Sequence, residues 1–103
     1  MDTERALVLW GRLRVSNYVN VVLILMLFAL SGNYVSLSKN GEYILLLATI
    51  LSHWNYHYQF ARVATSLGKS IRWWLASFVT FPLGPLVSYQ FLKAVAIRSG
   101  LPV

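Results

Sequence analysis

Three long stretches of the chain carry no charged residue, and the charges that remain mark their boundaries. The first runs from Val15 to Ser38, the second from Tyr43 to Ala61 and the third from Trp73 to Leu92, which is 24, 19 and 20 positions. About 20 predominantly apolar residues in helical form cross roughly 30 Å of hydrocarbon, so each run fits one crossing. The pattern predicts an all-α integral membrane protein in a single membrane domain. An interfacial segment over 1–14 is followed by spans over 15–38, 42–67 and 71–92 and by a tail over 93–103. In the first segment Ala6, Leu9, Trp10 and Leu13 share one helical face while Arg5 and Arg12 lie on the other, the arrangement of a helix lying in a membrane interface.

The connections carry their own signals. Ser38-Lys39-Asn40-Gly41 reads as a turn, and Glu42 sits in the first turn of the next helix, where a negative charge suits the dipole. Gly68 is expected to end the second helix and Ser70 to cap the third, which makes those two an antiparallel pair. The third run is interrupted by Phe81-Pro82-Leu83-Gly84-Pro85. Pro82 and Pro85 remove helical hydrogen bonds, so a kinked span is expected. The alternative is a re-entrant hairpin, disfavoured because irregular backbone at that depth needs protein or water around it.

Lys and Arg set the orientation. The N-terminal flank and second loop hold six of the nine, and the first loop and tail hold Lys39, Lys93 and Arg98. With three crossings this puts the N-terminus in the cytoplasm and Val103 outside. A re-entrant third run would instead gather eight of the nine basic residues on the cytoplasmic side.

Composition narrows the class. The residues are 57% hydrophobic and 12% charged, against about 25% charged in a soluble domain. A soluble fold and a disordered chain are both excluded on this ground. The net charge of +6 does not point to nucleic acid, because little polar surface remains once the apolar runs are set aside. With no Cys there is no disulfide framework or thiolate site. Asp2 and Glu4 ahead of the first run, its length and the lack of an A-x-A site argue against a cleaved signal peptide. The expected setting is a bacterial inner membrane.

Candidate chemistry is sparse. His53 and His57 are four apart and share a helical face within the aromatic stretch Trp54 to Phe60. They read as interfacial or hydrogen-bonded histidines; haem, pigment or metal ligation is the alternative, and it lacks acidic or thiolate companions in any span. No metal or cofactor is therefore expected. Ser52, Asn55, Tyr56, Gln59 and Arg62 form a polar stripe rotated from the histidines, at the depth of Asn17 and Asn20 on the first helix. Amides at such positions hydrogen-bond between helices. Ala76, Thr80, Gly84 and Ser88 recur every fourth residue as a small-residue track that lets helices approach closely. No Asp or Glu lies inside a run, and no hydrolase, metalloprotease or phosphate-loop motif occurs, so catalysis is not expected. These features predict a small non-catalytic accessory or assembly subunit of a larger membrane protein complex. Its partners are larger membrane subunits or further copies of itself, together with lipid, and not nucleic acid. The alternatives are a self-assembling permeabiliser of the holin type and a histidine-ligated haem or pigment subunit.

Overall fold

A computed structural model describes residues 2–78 and 84–103, and for 84–86 the backbone alone. Four helical elements follow one another: α1 (Thr3–Ser31), α2 (Lys39–Ser66), a 3₁₀ helix (Ile71–Phe78) and α3 (Gly84–Arg98). No strand occurs among the described residues. The molecule measures 48 × 22 × 22 Å, and its long axis matches the roughly 43 Å of a 29-residue helix.

Capping explains where the helices begin and end. The Asp2 side chain accepts a hydrogen bond from Arg5 N at 3.1 Å and the Ser38 hydroxyl accepts one from Gly41 N at 3.1 Å, which satisfies donors left open at each N-terminus. Each α-helix closes with the same pair of bonds. For α2, Lys69 N donates to Ala64 O and Gly68 N to Thr65 O; for α3, Leu101 N donates to Ala96 O and Gly100 N to Ile97 O. In α1, Tyr34 N donates to Ala29 O and Asn33 N to Leu30 O. This Schellman geometry requires a left-handed residue after the cap. Gly68 (φ +81°), Gly100 (φ +89°) and Asn33 (φ +60°) supply it.

α1 and α2 run antiparallel, in a register fixed by Ser16 against Asn55 and Asn20 against Ser52. The hydrophobic core fills one half of this pair: Ala6, Leu9 and Leu13 from α1 pack with Phe60, Val63 and Ala64 from α2. Leu92, Ala96 and Leu101 belong to the same cluster, and Tyr89 stacks on Trp10 with ring centroids 5.1 Å apart. In the other half, Leu25, Met26 and Phe28 of α1 and Ile44, Leu47 and Leu51 of α2 are exposed.

Several expectations need correction. The third run is not a single helix. The 3₁₀ helix climbs from Ser70, beside the end of α2, to the level of His57 and Trp54, which Phe78 contacts. α3 then runs back, so that Leu101 and Val103 pack near Ala6 and Leu9. The C-terminus therefore lies at the same end of the bundle as the N-terminus, not the opposite one. Pro85 is the second residue of α3, a position where its missing N–H costs nothing, so it helps to start a helix where the sequence suggested a kink within one. Pro82 and Thr80 lie outside the described residues. The 1–14 segment is not a separate helix but the first half of α1, which ends at Ser31 instead of 38 because Gly32-Asn33 stops it. Residues 93–98 are helical rather than tail. Of the described helices one, Thr3–Ser31, is long and apolar enough to cross a membrane. α2 is of similar length, but its apolar content is diluted by Ser52, His53, Asn55, His57 and Gln59.

Candidate functional site

The polar residues singled out from the sequence fall into two groups. Asn20 is fully buried and donates from Nδ2 to Ser52 Oγ at 3.4 Å, while its Oδ1 meets His53 Nδ1 at 3.3 Å. Asn55 Nδ2 donates to Ser16 Oγ at 3.0 Å. This half of the stripe joins α1 to α2. Asn17 is buried and Gln59 half-buried, and neither Asn17 Oδ1 nor Gln59 Oε1 meets a donor among the described residues. Each lies one turn from the linked amides.

The small-residue track does not lie along one helix. Ala76 is half-buried on the 3₁₀ helix, whereas Gly84 and Ser88 belong to α3, which runs the other way. A 3₁₀ helix has three residues per turn, so a four-residue repeat loses its face there. Ser88 is instead buried against Tyr56, hydroxyl to hydroxyl.

His53 and His57 come together at the mid-length of α2, their rings edge to face with centroids 4.7 Å apart. Both are buried, at 9% and 3% exposure. Thr49, His53 and His57 form every fourth residue of one α2 face, and this face is the floor of an open cavity of about 640 Å³. Its walls are Ile24, Leu27, Phe28 and Ser31 of α1, Ile50 and Trp54 of α2, and Phe78. Among the described residues no charged one lines it. The volume falls within the roughly 300–1,000 Å³ of small-ligand sites.

The hydrogen bonds assign the protons. The Ser77 hydroxyl donates to the Trp74 carbonyl, and Ser77 Oγ also meets His57 Nδ1. Ser77 has one proton to give, so His57 Nδ1–H is the donor of that second bond. In the neutral ring the lone pair then sits on Nε2. His57 Nε2 is buried and meets no donor among the described residues. A buried acceptor left open costs about 1–3 kcal/mol. Phe78 stacks on the same ring with centroids 3.8 Å apart and planes 17° apart. The imidazole is thus held on one face by Phe78 and at one nitrogen by Ser77.

Sequence reasoning found the histidines but not Ser77 or Phe78, which come from the end of the 3₁₀ helix, the first limb of the folded-back third run. A Ser in an apolar segment gives no signal of its own. No group of three or more His, Cys, Asp or Glu suited to a metal ion occurs among the described residues. No family model, curated protein or solved structure matches the chain, so what the site does must be argued from its own geometry.

Proposed function

We propose that this chain is a small, non-catalytic accessory subunit of a larger complex in a membrane, the bacterial inner membrane by its charge pattern. The observation that carries this reading is the uneven covering of the α1–α2 pair. Its polar links and packed core lie in one half, and large apolar side chains stand uncovered around the other. Only 22% of the most apolar stretch of α1 is buried, whereas a core helix of a soluble protein is mostly enclosed.

Both α1 and α2 cross in this proposal. The charge-free part of α1, residues 15–31, is about 25 Å long and that of α2, residues 43–61, about 28 Å, close to the hydrocarbon thickness. The 3₁₀ helix and α3 enter from the side of the termini and return to it. Eight of nine basic residues then share that side with Lys39 alone opposite, which makes it the cytoplasmic one. The cover that such a re-entrant segment needs comes from Trp10, Tyr56 and Phe60, which border it.

The pore-forming alternative is weakened because Asn20, Ser52, Asn55 and Ser16 are engaged with one another and do not form a free polar wall. The test is photo-crosslinking from benzoylphenylalanine at Leu25 and at Leu47, both well exposed. A discrete protein adduct at both positions is expected. Lipid adducts alone would overturn the subunit reading, and a ladder of the chain's own multiples would favour the permeabiliser.

A further inference from the structure

We infer that the groove between α1 and α3 at Arg14 and Lys93 is a binding site for the phosphate headgroup of an anionic phospholipid. The inference rests on the membrane crossing proposed above. The groove has a volume of about 550 Å³, with Arg14, Tyr18 and Val21 along its α1 wall and Gln90 and Lys93 on its α3 wall. Trp10 and Tyr89, stacked with centroids 5.1 Å apart, border it as well. Arg14 is exposed and Lys93 half-buried, so a ligand in the groove reaches both cations. Of the neutral polar residues, Asn17 and Tyr89 are buried, and exposed Tyr18 and Gln90 are the ones that meet a headgroup. Among the described residues no Asp or Glu lines the groove. A terminal carboxylate at Val103, which borders it too, would leave the lining net positive, with two cations against one anion.

Depth favours a lipid over a soluble anion. Arg14 is the last charge before the first charge-free run and Lys93 is the first charge after the third. The fold brings these two boundaries, from opposite ends of the sequence, to one groove. The cations therefore stand at the polar edge of the hydrocarbon, where basic side chains meet lipid headgroups. Tyr18 and Val21 lie one and two turns further along α1, and Val22 beside them is 55% exposed. They give the glycerol and acyl parts of a lipid an apolar wall leading into the bilayer. The net charge selects the headgroup. Phosphatidylcholine brings a quaternary ammonium that Arg14 and Lys93 repel, whereas phosphatidylglycerol carries the phosphate charge alone. Arg12 is also exposed but lines a separate groove with Val8, Ser16 and Asn55, so it serves as a control of equal charge.

The test uses the full chain alone in phosphatidylcholine vesicles, so it does not depend on whether a partner subunit exists. Flotation first records incorporation. Failure to incorporate would overturn the crossing and this inference with it; incorporation without lipid selectivity would overturn this inference alone. Spin-labelled phosphatidylglycerol and phosphatidylcholine are then compared by the fraction of each probe held immobile on the protein. A basic side chain beside an anionic head is worth about fivefold in association at low salt, so phosphatidylglycerol should be held about 25-fold better. Arg14→Gln or Lys93→Gln should each lower that ratio about fivefold, and the two together should abolish it. Arg14→Lys, which keeps the charge, should retain most of it. Arg12→Gln should change it by about twofold at most, because screening weakens a charge outside the groove. Equal holding of the two probes would overturn the inference, as would equal losses from Arg12→Gln and Arg14→Gln, which mark a diffuse surface effect. Release of phosphatidylglycerol by excess inorganic phosphate would overturn it by assigning the groove to a soluble anion. In cell membranes, a protein adduct in place of a lipid adduct from benzoylphenylalanine at Gln90 would overturn it too, giving the groove to an acidic partner segment.

Discussion

Asn20 carries more of the α1–α2 contact than any other polar side chain described, because it is fully buried and faces both Ser52 and His53. Replacing it by Leu removes the acceptor for His53 Nδ1–H and the donor to Ser52 together. Interhelical hydrogen bonds in membranes are worth about 0.6–2 kcal/mol each, so Asn20→Leu should destabilise the fold by about 1–3 kcal/mol. The midpoint of a detergent unfolding titration measures it. Tyr18→Leu, two positions away and exposed, should leave that midpoint unchanged. Two glycines give a second pair of opposite sign. A methyl group at Gly11 or at Gly68 would meet nothing within 4 Å, so backbone conformation alone decides. Gly11 lies inside α1, where Ala is favoured by about 0.5–1 kcal/mol, and Gly11→Ala should stabilise by that amount. Gly68 has φ +81°, and Gly68→Ala should destabilise by about 1 kcal/mol. Thermal unfolding of the two variants side by side checks both signs.

At the scale of elements, α2 was legible because Ser38 and Gly68 punctuate it, and the structure differs there by a few residues at the ends; α1 was legible only in part, because no helix stop separates the 1–14 segment from the span it continues into and Gly32-Asn33 ends the helix seven residues before Ser38. The split of the third run was visible only as a choice. Pro82, Gly84 and Pro85 break a helix equally well in a kinked span and in a hairpin, and local sequence holds no information on which way the chain leaves. The decision comes from distant contacts, with Tyr89 on Trp10 and Leu101 against the Ala6–Leu13 face. Of the site, the His53–His57 spacing could be read directly, whereas the partner that fixes the His57 tautomer lies 20 residues on in an element whose path the sequence left open. α3 is held by its buried side, so Leu92→Ala, at 0% exposure, should destabilise by about 2–5 kcal/mol. Phe91→Ala, at a residue 51% exposed, should cost less. Loss of the α3 core contact is read as faster amide exchange in residues 88–98.

Across the whole molecule the account stands on one geometric claim. In the proposed arrangement α1 and α2 cross the membrane as a pair, while the 3₁₀ helix and α3 enter and leave on the side of the termini. That arrangement puts the basic residues together, leaves the cavity above His57 open to the bilayer and exposes the uncovered apolar half to a partner. The chain has no Cys, so single cysteines at Thr3, Asn40 and Val103 can be labelled with a membrane-impermeant maleimide without background. In intact cells Asn40→Cys should label, and Thr3→Cys and Val103→Cys should label only after the membrane is opened. Labelling of Val103→Cys together with Asn40→Cys in intact cells would mean that the third run crosses, and the account would be contradicted.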